Sequence, residues 1–151
     1  MDRDKWHQEL LGWLETFKWL WICSLTYRPG LSAPQARWRL RRWADALSEK
    51  LGTDDFGWIA VRELGRTGQD LHYHALVKGL RHWHAPERVE WMRAWWKLSG
   101  QAQIDIYEAG RGGVSYILKH ADPNVSESLE IEIQHELFPP AEQMLRKMSA
   151  K

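Results

Sequence analysis

The alternation of apolar and polar positions, with the turn residues between them, divides the chain into short elements. Apolar residues recur at helical spacing in four segments, over residues 5–18, 34–51, 86–98 and 114–120. Aromatic, β-branched or alternating runs predict strands over residues 19–27, 56–64, 71–78 and 102–108. A tail follows, with an alternating LEIEI segment and a last short helix after Pro139 and Pro140.

After the first helix, the order strand, helix, strand, strand, helix, strand is the split βαβ pattern. It predicts an α+β fold of the ferredoxin or RRM type, in which helices cover one face of an antiparallel sheet and the other face carries a site. The second and third strands are expected to form a hairpin that turns near Thr67. We expect one domain over residues 1–151, with a core at about 19–121, the N-terminal helix at 5–18 and a C-terminal extension at 122–151.

Composition limits the classes of protein without choosing a function. Lys and Arg number 21 against 20 Asp and Glu, so a case for nucleic-acid binding has to rest on where the charges lie. Cys23 is the one cysteine, which suits a reducing compartment, and there is no signal peptide or apolar run that could span a membrane. We expect a cytoplasmic protein. The 11 tryptophans are expected mostly in the core, although exposed rings can stack on unpaired bases.

The third predicted strand carries His72 and His74, whose side chains project to the same side because alternate residues of a strand share a face. Folding the hairpin places Glu63 opposite His72. Two imidazoles and one carboxylate accept Mg²⁺, Mn²⁺ or Zn²⁺ and leave positions open for water or substrate. The alternative is a set of polar residues on a solvated sheet face.

A second His-x-His triplet, from His82 to His84, lies between Gly79 and Pro86, where a loop or helix lead-in is predicted. No strand periodicity makes these imidazoles converge. We expect them to contact a phosphate or cap a helix rather than to hold the metal.

Tyr116 and Lys119 lie three positions apart on the short helix predicted at 114–120 and therefore share one of its faces. A phenol is a weak nucleophile at neutral pH, but a nearby cation and a metal-polarised phosphodiester would allow it to form a tyrosine–phosphate ester. The alternative is a half-buried aromatic residue beside a solvated lysine.

Three motifs occur in order: WICSLTYRP on the first strand, HYH at 72–74 and YILK at 116–119. Over about residues 19–121 this combination resembles the HUH endonucleases, and among them the rolling-circle replication initiators, or Rep proteins. Their usual signature is a TLT-like motif, His-hydrophobe-His and Tyr-x-x-Lys. Gly112 and His120 stand where a second tyrosine would lie, which suits the single-tyrosine type.

The resemblance implies a nuclease that nicks one DNA strand, stays attached to the 5′ phosphate and later rejoins the ends. His72 and His74 would be metal ligands with Glu63 as the third, a position whose residue type varies in the family. Mg²⁺ or Mn²⁺ would be the cofactor, with Zn²⁺ the weaker candidate. Tyr116 would be the nucleophile and Lys119 its helper.

The implied partner is single-stranded DNA at a replication origin of a phage or plasmid, which can include a hairpin. The chain has no GxxxxGK phosphate loop. Unwinding and synthesis would therefore come from a host or separate helicase and polymerase, or the chain is an excised nuclease domain.

Basic residues that flank the predicted sheet face are candidates for contact with a DNA strand near the tyrosine, namely Arg28, Lys78, Arg81, His82 and Arg111. Arg37 and Arg41, one turn apart on the second helix, are further candidates for phosphate contacts. A solvated, charged helix surface is the alternative for that pair.

Two other functions fit parts of the pattern. A single-tyrosine transposase of the insertion-sequence type shares the histidine pair and tyrosine, but its usual tyrosine helix lacks the Tyr-x-x-Lys spacing. A non-catalytic single-strand binding module on an RRM-like sheet would need exposed aromatic rings on the central strands.

Overall fold

The computed structural model describes residues 3–64, 71–119, 121 and 129–133, with the backbone alone for Leu64 and for 129–133. The helices are α1 (Arg3–Leu14), α2 (Ala33–Leu51), α3 (Ala85–Leu98) and α4 (Gly113–Leu118). The strands are β1 (Trp19–Thr26), β2 (Gly52–Leu64), β3 (Leu71–Leu80), β4 (Ala102–Ile106) and β5 (Leu129–Ile133).

The five strands form one antiparallel sheet in the order β4-β1-β3-β2-β5. In this order β3 lies between β1 and β2, and β1 lies between β3 and β4, so each helical crossover skips one strand. This is the split βαβ arrangement, and it confirms the predicted α+β fold. The LEIEI segment adds the edge strand β5 beside β2.

The sheet has helices against both faces. The helices α2 and α3 pack on one face, where Trp43, Trp95 and Tyr73 belong to the larger hydrophobic cluster. On the opposite face, Leu10 of α1 and Ile117 of α4 belong to a second cluster with sheet residues. The face that was expected to be free for a site is therefore partly covered, because α1 brings an apolar stripe of its own.

Several boundaries differ from the predicted ones for local reasons. The helix α1 ends at Leu14 rather than residue 18, because the indole nitrogen of Trp19 donates to the Leu14 carbonyl oxygen (2.8 Å) and caps the helix end. The capping box of Ser32 and Gln35 begins α2 as predicted. The turn near Thr67 and the helix after Pro140 lie outside the described residues.

Candidate metal centre and tyrosine site

Glu63, His72 and His74 converge on the sheet face that carries α1 and α4. Glu63 pairs directly with His72 across the β2–β3 hairpin, as the sequence predicts. The Oε2 atom of Glu63 lies 3.1 Å from Nε2 of His72 and 2.7 Å from Nε2 of His74. All three side chains are partly or largely shielded from solvent, with His74 the most buried at 10% exposure.

These three residues are the group of potential metal ligands found among the described residues, with their donor atoms within 4.8 Å of one another. Ligands that each lie about 2.1 Å from one ion are roughly 3 Å apart when they are adjacent in an octahedron. The two Glu63–histidine distances are close to that spacing. The donor set therefore fits a divalent cation and leaves room for further ligands.

Tyr116 of α4 lies beside this cluster. Its ring is 5.4 Å from the ring of His74, measured between centroids, and the two planes meet at 79°. The side chain is 49% exposed, so its hydroxyl is open to a ligand from solvent. The Nζ atom of Lys119 lies 4.6 Å from the centre of the Tyr116 ring, which places a cation against the phenol.

The position of α4 depends on a glycine at its start. Gly113 packs so closely on the ring of Tyr107 that a Cβ atom there would lie 2.7 Å from Tyr107 Cε2. Gly112 precedes it with φ of 77°, a left-handed conformation that suits glycine. Burial, and after it the Glu15 carboxylate, raises the pKa of Tyr107, so this second phenol near α4 is held in its neutral form.

The far end of α4 is held by α1, which sequence reasoning missed. The Arg3 guanidinium donates to the Lys119 carbonyl oxygen (3.1 Å), and Nε2 of His7 bonds to the Ala121 carbonyl oxygen (2.7 Å). A six-residue helix cannot satisfy its own final carbonyls, so partners from elsewhere stabilise it. These contacts join residues more than 100 positions apart, and no local pattern indicates them.

One basic residue predicted to contact DNA does not fit that role. Lys78 shares the sheet face of His74, but its side chain is 1% exposed. Its ammonium donates to both the carbonyl oxygen and the Oδ1 atom of Asp55, each at 2.6 Å, and lies over the Phe17 ring. The prediction is wrong because α1 and the chain after it cover this part of the face.

Arg81 and His82 are exposed but follow the opposite end of β3 from the cluster. At about 3.3 Å per strand residue, Arg81 lies roughly 23 Å from His74 along the strand. The prediction that they flank the tyrosine is therefore wrong. The second triplet leads into α3, with His84 at the N-cap position but without a side-chain capping bond.

The other predicted contacts are spread around the molecule. Arg111 is exposed just before α4, where it pairs with Glu108 at 2.8 Å, so it lies near Tyr116. Arg28 follows β1 and contacts Trp96 of α3. Arg37 and Arg41 lie on α2, against the sheet face away from the cluster.

The described strands carry no exposed large aromatic residue, since the exposed ones lie on α2, α3 and α4. A binding platform on the central strands, as in an RRM-like module, is not favoured by this distribution. None of the helices in the described part of the chain combines the length and apolar character needed to cross a bilayer.

A split βαβ sheet with a Glu-His-His cluster and a tyrosine beside it defines a class of candidate phosphodiester-processing proteins. Comparison with known families is more specific, because residues 20–124 match the family of replication-associated proteins of the ORF2 type. The match covers more than half of the chain, and the chain belongs to this family. No curated protein and no solved structure matches it.

Proposed function

We propose that this chain is a metal-dependent HUH-type endonuclease of the single-tyrosine kind, which nicks and rejoins single-stranded DNA to initiate rolling-circle replication. The family supports a role in replication initiation. The observation that carries the finer proposal is the position of the Tyr116 ring, 5.4 Å from His74 of the Glu-His-His cluster. On this proposal residues 1–151 form one nuclease domain with its core at 19–121.

In the proposed reaction, Tyr116 Oη attacks the phosphorus of one DNA linkage. A bond forms between that oxygen and phosphorus, and the bond from phosphorus to the 3′ oxygen breaks. The phenol loses its proton to solvent, and the departing 3′ oxygen takes one up. The products are a 5′-phosphotyrosine ester and a free 3′ hydroxyl that primes synthesis.

Lys119 stabilises charge in this step. Its ammonium lies against the Tyr116 ring, so it favours the developing phenolate and offsets charge on the attacked phosphate. Because the phosphotyrosine ester is still a phosphodiester, attack by a 3′ hydroxyl reverses the reaction and rejoins the strand.

Glu63 holds both imidazoles with their Nε2 atoms directed to one point, so the ligand set is preorganised. A divalent cation bound by Glu63, His72 and His74 would neutralise charge on the phosphate as a Lewis acid. The mixed nitrogen and oxygen donors suit Mg²⁺ or Mn²⁺, and Zn²⁺ less so because the site leaves several positions open.

Single-stranded DNA at an origin is the proposed substrate, with unwinding and synthesis supplied by other proteins in the cytoplasm. The test uses origin-derived oligonucleotides labelled on either side of the cut, with Mg²⁺ or Mn²⁺ and with chelator. We expect a denaturation-resistant adduct with the downstream fragment only, formed in metal. Cleavage that persists in chelator, or an adduct with the upstream fragment, would contradict the mechanism.

A further inference from the structure

Two tryptophans stand out on the helical layer, on the side of the sheet away from the metal cluster. Trp38 of α2 is 57% exposed and Trp96 of α3 is 54% exposed, whereas the other nine tryptophans are buried or half-buried. An indole left in water keeps a large apolar surface hydrated. Neither ring contributes to the core, so the core does not account for their placement.

Each exposed ring has an arginine against it. The Arg42 guanidinium lies 5.2 Å from the Trp38 ring centre, and the Arg28 guanidinium lies 5.0 Å from the Trp96 ring centre. Arg28 also donates to the Trp96 carbonyl oxygen, which fixes it beside the ring. A flat ring with an adjacent cation suits a ligand that has both π-faces and negative charge.

Both pairs lie where the start of α2 meets the end of α3. The Tyr27 hydroxyl donates to the Ala36 carbonyl oxygen (2.6 Å), which ties the chain after β1 to the first turn of α2. Arg39 donates to the Leu98 carbonyl oxygen (2.8 Å), which joins the next turn of α2 to the last residue of α3. Trp38 and Trp96 lie within these same turns.

This corner is at the end of the sheet where the metal cluster lies. The Trp95 indole donates to the Thr26 carbonyl oxygen (2.8 Å), so the last turn of α3 is fixed to the end of β1. Thr26 pairs with His72, and His72 pairs with Glu63. A strand that leaves the cluster over this end of the sheet would reach Arg28, two residues beyond Thr26, and then Trp96.

We propose that Trp38 and Trp96, with Arg42 and Arg28, form a stacking platform for unpaired bases of the DNA strand outside the cut position. The identity of the ligand rests on the proposed function. Exposed cations dominate this corner, since Arg41, Arg93 and Lys97 lie on the same turns or the turns beside them, and they complement a polyanion. A duplex is excluded as the ligand because its bases are already stacked and offer no free faces.

The test measures binding without cleavage, using the full chain with Tyr116→Phe and chelator present. The probe is a fluorescein-labelled oligodeoxythymidylate, and affinity is read from fluorescence anisotropy. We expect Trp38→Ala and Trp96→Ala each to weaken binding by about five- to a hundredfold, as for loss of one stacked base. Trp96→Phe, which keeps a ring, should retain most of the affinity, and Val89→Ala, another exposed apolar residue of α3, should match the parent.

Photocrosslinking locates the contact. An oligonucleotide with 5-iododeoxyuridine should crosslink to peptides that contain Trp38 or Trp96. The platform is overturned if the tryptophan variants bind like Val89→Ala, or if crosslinks map only to the opposite sheet face, and a protein would then be the better candidate for this surface. Because no cutting is measured, a chain that binds as expected but never forms a DNA adduct would fail the proposed function and not the platform.

Discussion

The ring of Tyr116 lies edge-on to the ring of His74, with 5.4 Å between centroids, although the two residues belong to separate motifs on α4 and β3. This contact brings a solvent-accessible phenol to a cluster of metal-binding donors. The tyrosine–histidine relationship is the basis of the mechanism, and the residues around it lead to separate predictions.

The metal cluster should depend on all three of its ligands. We expect His74→Ala and Glu63→Gln each to weaken Mn²⁺ binding at least about tenfold, since even partners that only orient metal ligands cost that much when removed. Isothermal titration calorimetry with Mn²⁺ measures this without any DNA. His84→Ala, from the second His-x-His triplet, is the matched control and should bind like the parent, and a loss there would contradict the assignment.

Lys119 should affect the rate of cutting without changing where the adduct forms. Lys119→Met keeps most of the apolar stem and removes the cation, so we expect nicking to slow by about a hundred- to a thousandfold, the usual cost of a lost electrostatic contact in a transition state. Lys119→Arg should recover part of the rate. Single-turnover kinetics with a labelled oligonucleotide measure both, and equal rates for the Met variant and the parent would remove Lys119 from the mechanism.

His7 should act as a positioning residue, because its bond to the Ala121 carbonyl oxygen holds the end of the tyrosine helix. We expect His7→Leu to slow nicking by roughly ten- to a hundredfold, as small misplacements of reacting groups do, while Mn²⁺ affinity stays unchanged. His7→Gln, whose amide can still donate, should keep most of the rate. If both variants lose metal binding and rate together, the effect is a general loss of structure.

Gly79 provides a test of the fold beside buried Lys78. Its φ is 72°, and a Cβ atom would lie 2.3 Å from the Asp55 carbonyl oxygen. Gly30 has φ of 95° with nothing within 4 Å, so it shares the backbone strain without the clash. We expect Gly79→Ala to lower the free energy of unfolding by at least about 1 kcal/mol more than Gly30→Ala does. Urea denaturation measures the difference, and equal losses would contradict the close approach.

Strand periodicity was sufficient to predict the metal cluster. Alternation placed His72 and His74 on one face, and the hairpin placed Glu63 opposite His72, both of which the strand register confirms. The same alternation put Tyr73 on the opposite face, where it is buried. These features follow from backbone geometry alone, which is why one sequence was sufficient.

Long-range packing could not be predicted in this way. Alternation correctly put Lys78 on the face of His74, but local period does not report that Phe17 and Asp55 cover it there. The bonds from Arg3 and His7 to the end of α4 escaped for the same reason. Burial depends on what packs above a residue, and that is decided by distant parts of the chain.

The identity of the nucleophile is the central claim, and peptide mapping of the DNA adduct tests it most directly. The adduct formed in Mn²⁺ is digested with nuclease and trypsin, and tandem mass spectrometry locates the residue that carries the phosphonucleoside. We expect the modification on Tyr116, with no adduct from Tyr116→Phe although that variant still binds Mn²⁺. A link on Tyr107 or any other residue, or an adduct that survives in Tyr116→Phe, would contradict the account.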